Sequence, residues 1–352
     1  MQSIQKPEFQ KAESQKPESQ IQENPSPSER SRNQDTREHP AGPGRLASQA
    51  AVRVAAISAP APEPDGPTGL LLHSYLRGQF VAMLHEDPRV RANEADAVHK
   101  MRVSTRRMRS ALASYRTVLA EEPARELRGE LKWLASILGE ARDAQVMRAR
   151  LSALLAEQPA ELVLGPVQQR IDEELLGDYR AAHAVIQEVL DDGRYERLLQ
   201  SLERVVTTPA FTAEARMPAA ESAGRMLRRD RKRLHRRVRQ AREASSEDQR
   251  AEALHEARKE AKRLRYAAEV AQPVRPEGAG KLIAGAEHVQ KILGEHQDSV
   301  VSLAYLRRLG ASASDAGQNG FTYGRLHALE EQHGKVARKR FRKAWAGFPR
   351  VV

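Results

Sequence analysis

The sequence predicts an all-α protein, and three observations carry that prediction. From Gly69 onward apolar residues recur at spacings of three and four and rarely alternate as a strand would. Prolines, frequent before that point, thin out after it. A basic segment and a glycine-containing segment downstream of it both return about 156 residues later, so the chain reads as an internal duplication whose halves are rich enough in helix to form bundles.

Residues 1–65 are dominated by Gln, Ser, Pro and Glu, with little apolar surface to offset the entropy of ordering, and are expected to be a disordered low-complexity tail and linker. The tail carries a balance of −1, so the remainder holds +12 of the formal +11. The basic charge therefore belongs to the folded part. Leu71, Tyr75, Ala82 and Met83 predict a first helix over about 67–85, and Asn93 is placed to cap a second that runs through His99 to about Leu119. Gly139 is expected to punctuate the next two helices. Further helices are expected over 166–191 and 194–206, and the Thr-Thr before Pro209 marks a break. The repeat divides the folded part into about 66–208 and 209–350.

The first copy of the basic segment, HKMRVSTRRMR from His99, aligns with HEARKEAKRLR from His255, matching His99 with His255, Arg102 with Arg258, Arg106 with Lys262, Arg107 with Arg263 and Arg109 with Arg265. Downstream, LGEARD from Leu138 aligns with LGEHQD from Leu293, which matches Asp143 with Asp298. On a helix, His99, Arg102, Arg106 and Arg109 fall within about 80° of arc, and Val98, Met101, Thr105, Met108 and Leu112 form the opposing core stripe. Such a stripe of charge is ordinarily a solvated face. Solvated faces, however, mix signs, and no acid occurs between Val98 and Ala120. Cations left to repel one another point to an anionic ligand.

A third basic element, RMLRRDRKRLHRRVRQAR from Arg225, holds ten Arg plus Lys against one acid, Asp230. Its seam of Ala223, Leu227, Leu234, Val238 and Ala241 has a slot that either Asp230 or Arg231 must fill. Arg228, Arg231, Lys232 and Arg236 are thereby candidates to face the same space as His255 and Arg258, against the alternative of a plain basic surface. Arginine forks grip paired phosphate oxygens and lysine supplies a mobile point charge, a mixture suited to a chain of tetrahedral anions. Histidine adds a donor that is fully charged only near or below pH ~6.5.

The two His-Arg helices, the paired LGE…D segments, RLRYAAEV at Arg263 to Val270 and the closing RKRFRKAWAGF together resemble the conserved histidine α-helical domain, or CHAD, family, over about residues 66–350. The resemblance implies two four-helix bundles of long antiparallel helices related by pseudo-twofold symmetry, with a basic groove or channel between them that binds inorganic polyphosphate. It also implies recruitment to polyphosphate granules. Carried over by position, the basic signature falls on His99, Arg102, Arg106, Arg107 and Arg109, and on His255, Arg258, Lys259, Lys262, Arg263 and Arg265. Val103 stands where the second copy has Lys259, and Glu256 where the first has Lys100, so the halves should grip unequally. Asp143 and Asp298 are expected to be structural partners that hold a neighbouring cation, not metal ligands.

Other classes fare less well. The absence of cysteine removes disulfides, thiolate chemistry and cysteine-based zinc sites and fits a reducing cytoplasm. No apolar run is long enough to span a membrane, and the N-terminus lacks the apolar core of a secretory signal. There is no GxxxxGK[ST] loop, no HExxH pair and no ExExK strand, and HED at His85 is expected to lie at a helix end before Pro88. The expectation is a non-catalytic, cofactor-free binding protein. Nucleic acid is the rival polyanion, although aromatics are too scarce for a stacking platform. A structural granule-coat role is a third reading. Oligomeric state is not legible.

Overall fold

The computed structural model describes residues 60–349 together with residues 47, 49, 50, 52–54 and 56. Among the described residues the protein is all-α, with two isolated bridges, Pro67 to Pro218 and Leu119 to Phe211, in place of any strand. Helices α1 (Thr68–Arg91), α2 (Ala97–Ser114), α3 (Glu121–Ala156), α4 (Val167–Asp191) and α5 (Gly193–Thr207) make the first half. Helices α6 (Ala219–Glu243), α7 (Glu247–Ala271), α8 (Pro276–Asp315) and α9 (Phe321–Ala346) make the second.

Local chemistry explains most of the boundaries. Asp192 accepts from the Arg194 amide at the start of α5, Ser246 accepts from the Gln249 amide at the start of α7, and Pro276 opens α8 where its missing N–H would be unpaired anyway. Three expected boundaries are corrected. Helix α1 runs on to Arg91, because Pro88 falls in its last turn where the ring costs a single backbone hydrogen bond, and His85 is therefore inside the helix. Asn93 does not cap α2; Asn93 and Asp96 both take left-handed backbone (φ 52° and 61°) in the link before Ala97, and the helix ends at Ser114. Gly139 does not end a helix either. It lies in the middle of α3, a single helix of 36 residues, and Gly294 lies in the middle of the 40-residue α8.

One apolar core runs through both halves. It joins Phe80, Met101, Met108 and Leu134 of the first to Leu227, Leu264, Leu282 and Trp345 of the second. Helices α2 and α7 meet across this junction. Val98, Met101, Thr105, Met108 and Leu112 are all buried there, as their spacing predicts, and so are Ala223, Leu227, Leu234, Val238 and Ala241 of α6. At their far ends α3 and α4 meet α8 and α9 again, in a second core of Met147, Leu151, Ile171, Leu306, Tyr323 and Leu326. There Arg150 pairs with fully buried Glu330 at 2.5 Å, Tyr305 donates to Asp178 and Arg325 donates to Gln158. The two halves are thus fastened at two apolar zones. At the N-terminal end Ala47, Ala50 and Val54 are buried in the main core and Arg53 pairs with Glu203 at 2.5 Å, so the packed region begins well before the boundary expected near residue 66. Of the expected tail, residues 1–46 lie outside the described residues.

Candidate functional site

Between the two apolar zones each long helix carries a polar stretch: Arg142 and Asp143 on α3, Gln297 and Asp298 on α8. The signature helices α2 and α7 set their cations beside it. Arg102 lies against Gly139, where a Cβ atom would come within 3.2 Å of its Nη2, and Arg258 lies against Gly294, where a Cβ would come within 3.4 Å of its Nη2. This close approach is what glycine provides in mid-helix; its cost in helix propensity, about 1 kcal/mol against Ala, is offset by seating a guanidinium on the backbone.

Arg102 pairs with Asp143 at 3.3 Å. Arg258 feels Asp298 and, from the other half, Asp143 and Arg106. Lys262 faces Arg106, Arg258 and Arg102, with Asp298 opposing them. Residues from both halves therefore share one electrostatic neighbourhood. All of these cations are half-buried, and among the described residues Arg106, Arg109, Arg258 and Lys262 have no carboxylate within ion-pair distance. The consequence is visible in their protonation. Burial first, then repulsion from Arg106, Arg258 and Arg102, pulls the Lys262 ammonium down to about 6. Burial and the neighbouring Arg142, Arg102 and Arg106 likewise lower the pKa of His99, against the opposing pull of Asp96. Burial raises that of Asp298 despite the Arg258, Arg150 and Lys262 charges around it. The site thus gathers several cations that repel one another around a lysine whose pKa is lowered to about 6.

The two histidines are held differently. His255 Nδ1 sits 2.8 Å from Gln297 Oε1, whereas His99 has Arg142, the residue matched to Gln297 by the repeat, as its main charged neighbour. Arg142, Arg150 and Gln297 escaped the sequence reading. Arg142 and Gln297 carried one usable signal, their equivalent place inside the two LGE segments.

Other expected ligands are engaged elsewhere. Arg107 pairs with Glu269 at 3.0 Å across the junction, and Arg265 with Glu269 at 3.1 Å and Glu287 at 3.2 Å. Arg263 donates to the Ala113 carbonyl at 2.8 Å and pairs with Asp230 at 3.3 Å. Arg107 and Arg263 thus join α2 to α7 and α6, and Arg265 joins α7 to α8. Lys259 is exposed and pairs with Glu256 at 2.5 Å. Asp230, not Arg231, fills the slot of the α6 seam: it is fully buried and accepts from Ser114 Oγ at 2.5 Å. Arg231 turns instead to the Pro349 carbonyl, and Arg228, Lys232 and Arg236 are exposed.

A family model described as the CHAD domain matches residues 74–307. Two uncharacterised proteins of Mycobacterium tuberculosis, from strains CDC 1551 / Oshkosh and ATCC 25618 / H37Rv, are each 33% identical over 302 residues, covering 85% of this chain and 58% of theirs. The chain thus spans little more than half the length of these relatives. Among solved structures, PptA from Streptomyces chartreusis has a TM-score of 0.62 at 21% identity, covering 80% of this chain and 99% of that one. The CHAD domain from the plant Ricinus communis has a TM-score of 0.65 at 24% identity, covering 83% and 96%. At these identities the likeness is one of fold.

Proposed function

Because the chain belongs to the CHAD domain family, we propose that the junction of its two halves binds inorganic polyphosphate without breaking it. The observation that carries the reading is the set of half-buried cations contributed by both halves and left, among the described residues, without carboxylate partners, Arg106, Arg109, Arg258 and Lys262, with Arg102 and the two histidines beside them. A chain of phosphates neutralises such a group at once and lets Lys262 keep its proton. Arg102 and Arg258, each seated on a glycine, supply oriented guanidinium forks. Asp143 and Asp298 act as counter-charges that hold Arg102 and Arg258, which suits binding better than hydrolysis. The duplication is supported by the paired Arg102 with Gly139 and Arg258 with Gly294 contacts, with bundles over about 66–208 and 209–350. Through this site the protein would be carried to polyphosphate granules in the cytoplasm.

The test is polyphosphate titration over a salt series with single-stranded DNA as competitor. Release of counterions makes affinity fall steeply with salt, and polyphosphate should displace DNA more readily than DNA displaces it. The combined change Arg102→Ala, Arg106→Ala, Arg258→Ala and Lys262→Ala is expected to lower affinity by at least about 100-fold, since one charged hydrogen bond contributes about 1.5–3 kcal/mol. The matched control removes the exposed cations Lys132, Arg180, Lys281 and Arg307. Equal losses in the two variants would reduce the site to a diffuse basic surface.

A further inference from the structure

Seven of the ten cations of α6 fall into two sets. Arg225, Arg229 and Arg237 pair with Glu214, Asp230 and Glu256 respectively and are turned toward neighbouring elements. Lys232, Arg236, Arg239 and Arg242 follow one another at steps of four, three and three, a straight stripe about 15 Å long at 1.5 Å per residue, and all four are exposed. Of these only Arg239 has an ion pair among the described residues, a 3.9 Å contact with Glu243 on the same helix. The stripe is not flat. With His235, Val238 and Trp345 these four cations line a cavity of about 370 Å3 that contains no carboxylate in its wall.

The floor of this cavity is built by the end of the chain. The His235 ring packs against Trp345 at a 60° tilt with centroids 4.7 Å apart, and Phe348 stacks on Trp345 at 4.8 Å. Arg231, one residue before Lys232, binds the Pro349 carbonyl at 3.1 Å and fixes that end against α6. The lining of the cavity includes none of the junction residues Arg102, Arg106, Arg258 and Lys262.

We propose that this outer stripe of α6 is a second binding surface, for a bare phosphate chain, that works beside the junction. A basic helix face with an aromatic floor would also suit nucleic acid, but Trp345 is buried, with Phe348 stacked on it and His235 packed against it, and offers no free face on which a base could stack. What the wall presents is a row of guanidinium and ammonium groups without acids, which fits phosphate oxygens. Burial, followed by Arg231 and Arg242, lowers the pKa of His235, and an anion in the cavity would favour its protonated form. This inference rests on the reading of the junction as a polyphosphate site. Two surfaces that hold one long chain raise its apparent affinity by effective concentration alone, and a chain too short to reach both gains nothing.

Trp345 makes the proposal testable, because the chain has only one other tryptophan, Trp133. Replacing Trp133→Phe keeps an aromatic ring beside Arg194 and leaves Trp345 as the sole reporter of the outer cavity. On that background tripolyphosphate should change Trp345 emission saturably, and the change should persist with Arg106→Ala and Lys262→Ala. It should vanish with Lys232→Ala, Arg236→Ala, Arg239→Ala and Arg242→Ala, which should also cost long-chain polyphosphate on the order of 100-fold in affinity. A silent Trp345 in a protein that still binds polyphosphate by calorimetry would overturn the outer surface and leave the junction standing. A response that disappears with the junction variant, or one given by single-stranded DNA and not by tripolyphosphate, would also overturn it. If the junction variant instead bound both ligands as the parent does while Trp345 responded, the junction reading would fail and the outer surface would hold.

Discussion

Lys262 is the residue where the chemistry of the site is most exposed to measurement. Its ammonium is pulled down to about 6 by burial and by Arg106, Arg258 and Arg102, whereas in the unfolded chain it titrates near 10.5. Between those values the unfolded state binds the extra proton, so the contribution of this group to stability rises with pH from about 6 to about 10.5. Lys262→Met is expected to flatten that part of the stability curve in urea titrations at pH 6, 8 and 10. Phosphate oxygens restore the charge. Calorimetry at pH 8 in buffers of different ionisation enthalpy should therefore show proton uptake when polyphosphate binds, and Lys262→Met should reduce it; unchanged uptake would remove Lys262 from the site. The sequence matched this residue to Arg106 of the first copy. It could not reveal that a lysine has been placed among three arginines, because two of those arginines belong to the other half.

At the scale of the element, α6 shows how one acid organises a basic helix. Asp230 is fully buried and receives Ser114 of α2, Arg263 of α7 and, at 3.7 Å, Arg229 of its own helix. Asp230→Ala leaves Arg263 and Arg229 without their counter-charge and is expected to cost about 3–5 kcal/mol, read as a lowered midpoint in chemical denaturation. A loss no larger than that of an exposed acid such as Glu243 would show that the three helices are held by the apolar seam alone. The seam of α6 and the core stripe of α2 were legible because burial follows a period of 3.6. The continuity of α3 through Gly139 was not. Glycine reads as a break from sequence, and only the guanidinium lying against it explains why a small residue stands inside a helix.

For the whole molecule, the two halves are fastened twice, by the main core at the α2 and α7 junction and by the smaller core that includes Arg150 and Glu330. The main core also takes in Ala47, Ala50 and Val54. Deleting residues 1–46 is accordingly expected to leave the melting temperature and polyphosphate affinity unchanged. Deleting residues 1–65 should lower the melting temperature, since it exposes the apolar surface those side chains cover and strands Glu203 without Arg53. Equal melting temperatures for the two truncations would place the boundary of the packed region back near residue 66.

By itself the sequence determined the fold class, the two signature helices and their buried faces, and it marked the cations proposed for the site, because helical period and uncompensated charge are local properties of a chain. Which cations share a space was decided by the tertiary structure alone. Arg107, Arg263 and Arg265 carry the same charge as Arg106, Arg258 and Lys262 and lie on the same helices, yet Glu269, Asp230 and Glu287 pair with the first set and leave the second without an ion pair among the described residues. Those acids are distant in sequence from at least one of the cations they meet. The physical reason is that electrostatic energy depends on separation through space and on burial, and neither is encoded in the spacing along a single helix.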